Sequence, residues 1–140
     1  MPYQQGESYQ DLLHLRAKIL RDGLPPFTAE QLQDEKDDIH VGMYRLESTE
    51  VIGCCLIRRV GAWCQMRQVA IDHKEQGNGY GRMLITYFEN YSRSVGIHKL
   101  YIEARESAVP FYIHHGYQAV PGTFVNDGSG LVNVRLEKWM

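Results

Sequence analysis

Cysteine is scarce in this chain, three residues in 140. Cys54 and Cys55 are adjacent and Cys64 stands alone, so there is neither a CxxC pair nor a metal-ligand spacing, and a disulfide framework is excluded. Reduced, packed thiols are expected instead, since cysteine behaves as a small buried hydrophobe. Long apolar runs are missing too. No stretch approaches the roughly 18 to 20 apolar residues of a membrane span, and the polar start at residues 1–10 lacks a signal peptide's apolar core, so a cytoplasmic protein is expected. Excess positive charge is also lacking: 15 Lys and Arg against 17 Asp and Glu give a formal net charge of -2. Gripping nucleic-acid phosphates needs a basic face, so neither DNA, RNA nor a membrane is an expected partner.

Three further absences narrow the chemistry. The six histidines form no HExxH and no paired Cys/His spacing, His114 and His115 being neighbours, so no metal is expected. Asp127-Gly128-Ser129-Gly130 is not the Gly-x-Ser-x-Gly of a hydrolase elbow. Repeats, linkers and low-complexity tracts are lacking, and the length suits a single domain over residues 1–140.

What is present reads as helix, helix, three strands, helix, strand, helix, strands. Leu12, Leu13, Leu15, Ile19 and Leu20 form a helical stripe over residues 8–20, ended by Gly23 and Pro25-Pro26. Thr28 and Gln31 have capping-box spacing and start a second helix. Residues 40–46, 51–60 and 63–71 are β-branched or apolar with short separators, an antiparallel meander. Leu84, Phe88, Tyr91 and Val95 share one face of a helix over residues 79–95, with Gly96 as its cap. Residues 99–104 return as a strand, parallel to the third because a helix joins them. A short helix over residues 107–115 carries Pro110 in its first turn, and strands over residues 117–120 and 131–138 flank a glycine-rich loop. The fold class is α+β: a mixed, mostly antiparallel sheet with about four helices.

The run Gln76-Gly77-Asn78-Gly79-Tyr80-Gly81 lies between a strand and a helix. Three glycines in five positions permit positive φ and let several N–H groups converge, and the following helix adds unpaired N–H groups and its positive dipole end. Such a turn is built to wrap a phosphate-bearing cofactor. A Walker loop is excluded, because no Gly-Lys-Ser/Thr follows. A dinucleotide fingerprint is the serious rival, with Gly79-x-Gly81-x-x-Leu84 and Glu103 in place of a ribose-binding acid. Against it stand the missing third glycine and the five residues, 72–76, between strand and first glycine. Too few residues also follow for the second half of a doubly wound sheet.

These residues resemble the GNAT superfamily of acetyl-CoA-dependent N-acyltransferases. The family's Gln/Arg-x-x-Gly-x-Gly/Ala signature follows a strand like Val-Ala-Val-Asp; here Val69-Ala70-Ile71-Asp72 precedes Gln76 to Gly81. A second signature, Ala before Phe-Tyr and then Gly-Phe/Tyr, is matched by Ala108, Phe111-Tyr112 and Gly116-Tyr117. The likeness covers roughly residues 66–120, and Leu15-Arg16-x-x-Ile19-Leu20-Arg21-x-Gly23 is similar to a subgroup of small bacterial members. The chain departs from the pattern at its start, where residues 1–7 leave no room for the usual first strand.

The resemblance implies a sheet in which two parallel strands splay and acetyl-CoA lies between them. It implies that Val69, Ala70 and Ile71 face the thioester arm with their amides, and that Gln76, Gly77, Asn78, Gly79, Tyr80, Gly81 and Arg82 hold the diphosphate. Lys74 and Arg82 flank the turn and either add charge to that grip or are plain surface charge. Tyr112 matches the family's general acid; in isolation, a Phe-Tyr pair on a helix reads equally as core. Many relatives carry a glutamate where this chain has Gln65, which cannot accept a proton. Glu103 is the substitute candidate for general base, its alternative being a solvated strand-end carboxylate. Arg105 replaces a common asparagine.

The implied activity is transfer of an acetyl group to a primary amine of a small molecule or peptide in a complex holding both substrates. A CoA- or nucleotide-binding regulatory module without catalysis is the alternative, and an NAD-dependent enzyme a third reading. In the family the acceptor is chosen by segments that here span residues 16–28 and 121–130, where Arg16 and Arg21 suit an acidic group or form a polar helix face. Among oligomeric states, a homodimer is left open.

Overall fold

The computed structural model describes residues 7–126 and 132–140. In α1 (Glu7–Leu20) the apolar stripe turns Leu12 and Leu15 inward against Cys54 and Ala70, with Ile19 and Leu20 packed alongside. In α2 (Ala29–Asp34) the capping box is complete: Gln31 N donates to the Thr28 hydroxyl at 3.1 Å, and Thr28 N donates to Gln31 Oε1 at 2.8 Å. Two donors that a helix start leaves unpaired are thereby satisfied.

Six strands, β1 (Ile39–Tyr44), β2 (Val51–Val60), β3 (Trp63–Ile71), β4 (Lys99–Arg105), β5 (Gln118–Asn126) and β6 (Val132–Trp139), form one sheet in the order β1-β2-β3-β4-β6-β5. Every neighbouring pair is antiparallel except β3 with β4, joined by the crossover helix α3 (Tyr80–Ser94). With α4 (Val109–His114) this is the expected α+β architecture of a mixed sheet and four helices. Along each strand the side chains alternate between faces. Cys64, Met66, Leu100, Ile102 and Leu136 form the main core with Leu84, Ile85 and Phe88 of α3. Tyr91 and Val95, the rest of the expected helix face, pack at the margin of that core. On the other face Trp63 lies 5.9 Å from Tyr101 and 5.6 Å from Trp139, ring to ring, while the Arg135 guanidinium sits 3.9 Å from the Tyr101 ring centre.

The feature that shapes the molecule is where the parallel pairing stops. β3 and β4 are in register from Trp63 with Lys99 to Met66 with Ile102, and no further. Beyond that point β3 stays with β2, and β4 stays with β6 as far as Arg105 opposite Asn133. The cause lies in a bulge. Between the pairs Leu56–Arg67 and Cys54–Ala70, β2 advances by two residues and β3 by three. The extra length is taken up at Gln68, whose φ of +52° is left-handed. A bulge bends its strand and adds twist, which turns the end of β3 away from β4.

Several boundaries differ from those predicted. β5 was expected to end near residue 120; it continues to Asn126 because a second irregularity, between Ala119 and Phe124, lets the pairing with β6 resume. Pro121 and Gly122, with φ +77° at the glycine, are the turn signals that suggested an end. The last helix begins with a 3-10 turn at Glu106–Ala108, and Val95, not Gly96, caps α3, with Gly96 following at φ +76°. The glycine-rich loop and the question of a first strand lie outside the described residues. The three cysteines are free and buried, as expected.

One interaction ties the helices together. Arg16 Nη1 and Nη2 donate to the two carboxylate oxygens of Glu35 at 2.9 and 2.7 Å, with both side chains almost wholly inaccessible. The pair joins α1 to the residue that caps α2, and the Arg16 guanidinium lies 4.6 Å from the Phe27 ring centre between them. Arg16 therefore cannot serve as a cleft cation: its charge is consumed inside the fold. Removing one member of such a pair strands a buried charge. Glu35→Ala is expected to cost about 3–5 kcal/mol in urea denaturation, whereas cutting the exposed Lys74–Glu50 pair leaves the midpoint unmoved.

Candidate active site

Where β3 and β4 diverge, a cleft of about 1220 Å³ opens. Its walls are the far halves of β3 and β4, the glycine turn with the start of α3, the helix α4, and the segment linking α1 to α2.

The glycine turn is shaped by conformation more than by space. Gly77 and Gly79 have φ of +87° and +85°, and a side chain at either would meet nothing within 4 Å, so glycine is needed for the backbone angle. Gly79 caps α3 with no side-chain hydrogen bond. The N–H groups of the first helical turn, at Tyr80, Gly81 and Arg82, have no intrahelical carbonyl to reach. These donors, backed by a helix of 15 residues, fit an anion. At Gly81 a Cβ would come within 2.9 Å of Phe111 Cζ, so α4 packs directly on the helix start.

The residues around the turn divide by role. Gln76 Nε2 donates to the Ile71 carbonyl at 3.0 Å, which makes this side chain a brace between the turn and β3. Asp72 caps the 3-10 turn before it, accepting from Lys74 N at 3.2 Å and from Lys18 Nζ at 3.3 Å. Lys74 itself, a candidate for the phosphate grip, pairs with Glu50 at 2.7 Å and is held toward the β1–β2 connection. Arg45 bonds Glu75 there as well. Arg82 is exposed on the cleft wall, as the candidate role requires. Asn78 is exposed at the tip of the turn. Val69 and Ile71 line the cleft, while the Ala70 side chain points away into the small core beneath α1.

Tyr112 lies on the cleft wall with 5% of its surface exposed. Its carbonyl accepts from the N–H groups of His115 and Tyr117, both at 3.0 Å, and its ring meets Phe111 and Tyr117 edge-on. Burial, reinforced by Cys55, pushes its phenol well above the ordinary value of 10. The hydroxyl is therefore protonated at any physiological pH and is a proton donor only. Cys54 is pushed up to about 12 by burial, so it is no thiolate nucleophile.

On β4, Glu103 is solvent-exposed, lines the cleft and stands opposite Arg135 in the β4–β6 register. Gln65 is buried and accepts a hydrogen bond from the Tyr101 hydroxyl at 3.1 Å. Its amide is thus fixed, with the oxygen already engaged. Burial, and then the Glu103 charge, raise the Tyr101 phenol, so that hydroxyl also remains a donor. Arg105 shares the cleft wall with Asn133, its partner in register.

Two residues here had been given no place in the cleft. Gln68, at the bulge, lines the cleft with its Oε1 buried and without a hydrogen-bond partner among the described residues. No turn residue in the sequence marks that position. His115 packs 4.6 Å from the Phe111 ring, close to Arg82 and His114.

A cleft between splayed parallel strands, with an unpaired helix start and a protonated phenol on its walls, is a shape suited to acyl transfer from a phosphate-bearing carrier. The chain belongs to the acetyltransferase (GNAT) family, whose model matches residues 9–117. It is accordingly an acyltransferase whose acyl donor is acetyl-CoA. Among curated protein sequences none matches. Solved structures with the same fold include an acyl-CoA N-acyltransferase from Pseudomonas aeruginosa, 13% identical, with 99% of this chain and 95% of that one aligned at a TM-score of 0.78. The ribosomal-protein-S18-alanine N-acetyltransferase from Escherichia coli is 12% identical over 93% and 86%, at 0.73. An aminoglycoside 6'-N-acetyltransferase complexed with coenzyme A is 15% identical over 93% and 89%, at 0.75. Among the described residues no helix is long and apolar enough to cross a membrane.

The site makes one titration testable. Burial first, then the charges of His114 and Arg82, lower the His115 pKa from its usual 6.5. The unfolded chain then takes up this proton more readily than the folded one, so His115 removes stability as pH falls through 6.5 and contributes little pH dependence well above it. Its Cε1–H resonance should titrate with a midpoint under 6.5. In His115→Gln, the loss of stability between pH 6.5 and 5.5 should be smaller than in the parent.

Proposed function

We propose that the chain transfers the acetyl group of acetyl-CoA to a primary amine of a small molecule or peptide, by direct attack with both substrates bound. The observation that carries this reading is the convergence of an open β3 edge, an uncapped glycine turn and the Tyr112 phenol on one cleft. Acceptors named for proteins of the same fold, an aminoglycoside and the alanine of a ribosomal protein, fit an amine as the acceptor class.

When bound, the cofactor supplies a thioester whose acetyl carbon accepts the amine nitrogen as the sulfur departs. The amides of Gly77 to Arg82 hold the diphosphate, with Gln76 keeping the turn seated on β3. Past the bulge β3 has no pairing with β4 around Val69, Ala70 and Ile71; the Ile71 carbonyl is held by Gln76, and the remaining backbone groups that face the cleft bond the cofactor's arm and its carbonyl oxygen. Tyr112 Oη carries the proton that the departing sulfur needs; with its pKa raised, it holds that proton until a strong base forms beside it. Glu103 takes the proton from the acceptor's ammonium, directly or through a water. Gln65, its carbonyl oxygen held by Tyr101, presents its Nε2 donor and orients the acceptor.

Tyr112→Phe keeps the ring and removes the proton. Turnover with a good amine is expected to fall by roughly 10²- to 10⁴-fold, with CoA affinity by calorimetry unchanged. An unaltered rate removes Tyr112 from the reaction, and CoA binding without thiol release for any amine makes the chain a binding module.

A further inference from the structure

We infer that the acceptor is an amine that also carries an oxyanion, which the Arg21 guanidinium binds, a reading that rests on the proposed acetyl transfer and narrows it. Arg21 sits just past α1, on the wall of the cleft formed by the α1–α2 segment. Its backbone is fixed at both ends, its N–H donating to the Ala17 carbonyl at 3.1 Å and its carbonyl accepting from Leu24 N at 2.9 Å. Its side chain is fixed as well. Nε donates to the Pro25 carbonyl at 2.7 Å, and the guanidinium lies 5.3 Å from the Phe27 ring centre. With Nε engaged, the two terminal NH₂ groups carry no protein partner among the described residues. An arginine held by its Nε and stacked on an aromatic ring is a preorganised fork for a carboxylate or phosphate.

The remaining charges of the cleft sharpen the inference. Asp34, Glu35 and Glu75 also line it, yet each is neutralised by an arginine outside the lining: Arg58 at 2.9 Å, Arg16 at 2.7 Å, and Arg45. Arg67 is tied to Asp38 at 3.2 Å, Arg82 belongs to the glycine turn, and Arg105 makes contacts of its own. On the acceptor's side this leaves, among the described residues, one cation without an ion pair, Arg21, and one anion without an ion pair, Glu103, whose cross-strand neighbour Arg135 is bonded to Glu137 at 2.7 Å. Opposite charges with no ion pair among the described residues suit a ligand that is itself an ammonium and an oxyanion. Glu103 receives the ammonium, Arg21 the oxyanion.

Matched acceptors decide the matter. CoA release from acetyl-CoA is followed with amino acids against the amines left by their decarboxylation, and with phosphoethanolamine against ethanolamine; binding of each to the CoA-loaded enzyme is read by calorimetry. At least one anionic member is expected to be bound and acetylated with kcat/KM at least about tenfold above its uncharged twin, and whether carboxylate or phosphate gives the larger ratio identifies the oxyanion. Arg21→Gln should erase that ratio through the acceptor's KM, leaving the KM for acetyl-CoA unchanged, and Arg21→Lys should restore part of it. Equal use of both twins, preference for the uncharged ones, no anionic member bound or acetylated, or a ratio that survives Arg21→Gln overturns the inference. If uncharged amines are acetylated meanwhile, the transfer reaction stands and only the acceptor class is wrong; if CoA itself is not bound, the transfer reading fails too.

Discussion

The parting of β3 from β4 after four residue pairs is the constraint on which the rest of the structure depends. A parallel pair in the middle of a sheet gains a hydrogen bond with nearly every residue added, and here the gain is forgone for the second half of both strands. The sheet tolerates this because each strand keeps its antiparallel neighbour on the other side, β2 for β3 and β6 for β4. What fixes the break is the extra residue at Gln68, in a left-handed conformation costing a non-glycine residue about 1–2 kcal/mol. Strain of that kind persists only where surrounding pairing determines it, and here Ala70 and Arg67 are locked against β2 on either side. The open edges of two strands, unacceptable in a dry core, become useful when a ligand rich in amides and carbonyls can lie between them.

The two ends of the cleft are built differently. On the proposed cofactor side the parts are main chain: the amides of the glycine turn and of β3, placed by φ angles and by the Gln76 brace. Main-chain donors make a carrier site without a specific side-chain code. On the proposed acceptor side the parts are side chains of α1, the α1–α2 segment and β4, and their position relies on the Arg16–Glu35 pair and on Phe27, which contacts both Arg16 and Arg21. A buried ion pair is a poor source of stability compared with apolar packing, but this one holds α1 against the cap of α2, and α1 leads directly into Arg21, the residue proposed to face the acceptor.

Much of this was legible from the residues because the signals are local. The spacing of Leu84 and Phe88 gave α3, Thr28 with Gln31 gave the start of α2, and the length of chain between residues 71 and 99 gave the parallel crossover. The glycine turn and the Tyr112 motif resemble a known family strongly enough to name the cofactor, and the family match agrees. The misses are long-range. Nothing near Gln68 marks a bulge, because its φ is imposed by register with β2 and not by a turn residue. Arg16 and Arg21 share a helix face pattern, yet one is consumed by a partner 19 residues away and the other is left to the cleft. Lys74 is equally ambiguous until Glu50 is placed beside it. Pro121 and Gly122 read as an end to β5, when in the sheet they only interrupt it.

The most direct test of this account is an amide-resolved NMR titration with CoA. Signals of Val69, Ala70, Ile71 and residues 77–82 should shift together and saturably, while those of residues 63–66, where β3 is still paired with β4, stay in place. Shifts confined to other parts of the chain, or none at millimolar CoA, would contradict the claim that the divergence of these two strands creates the site.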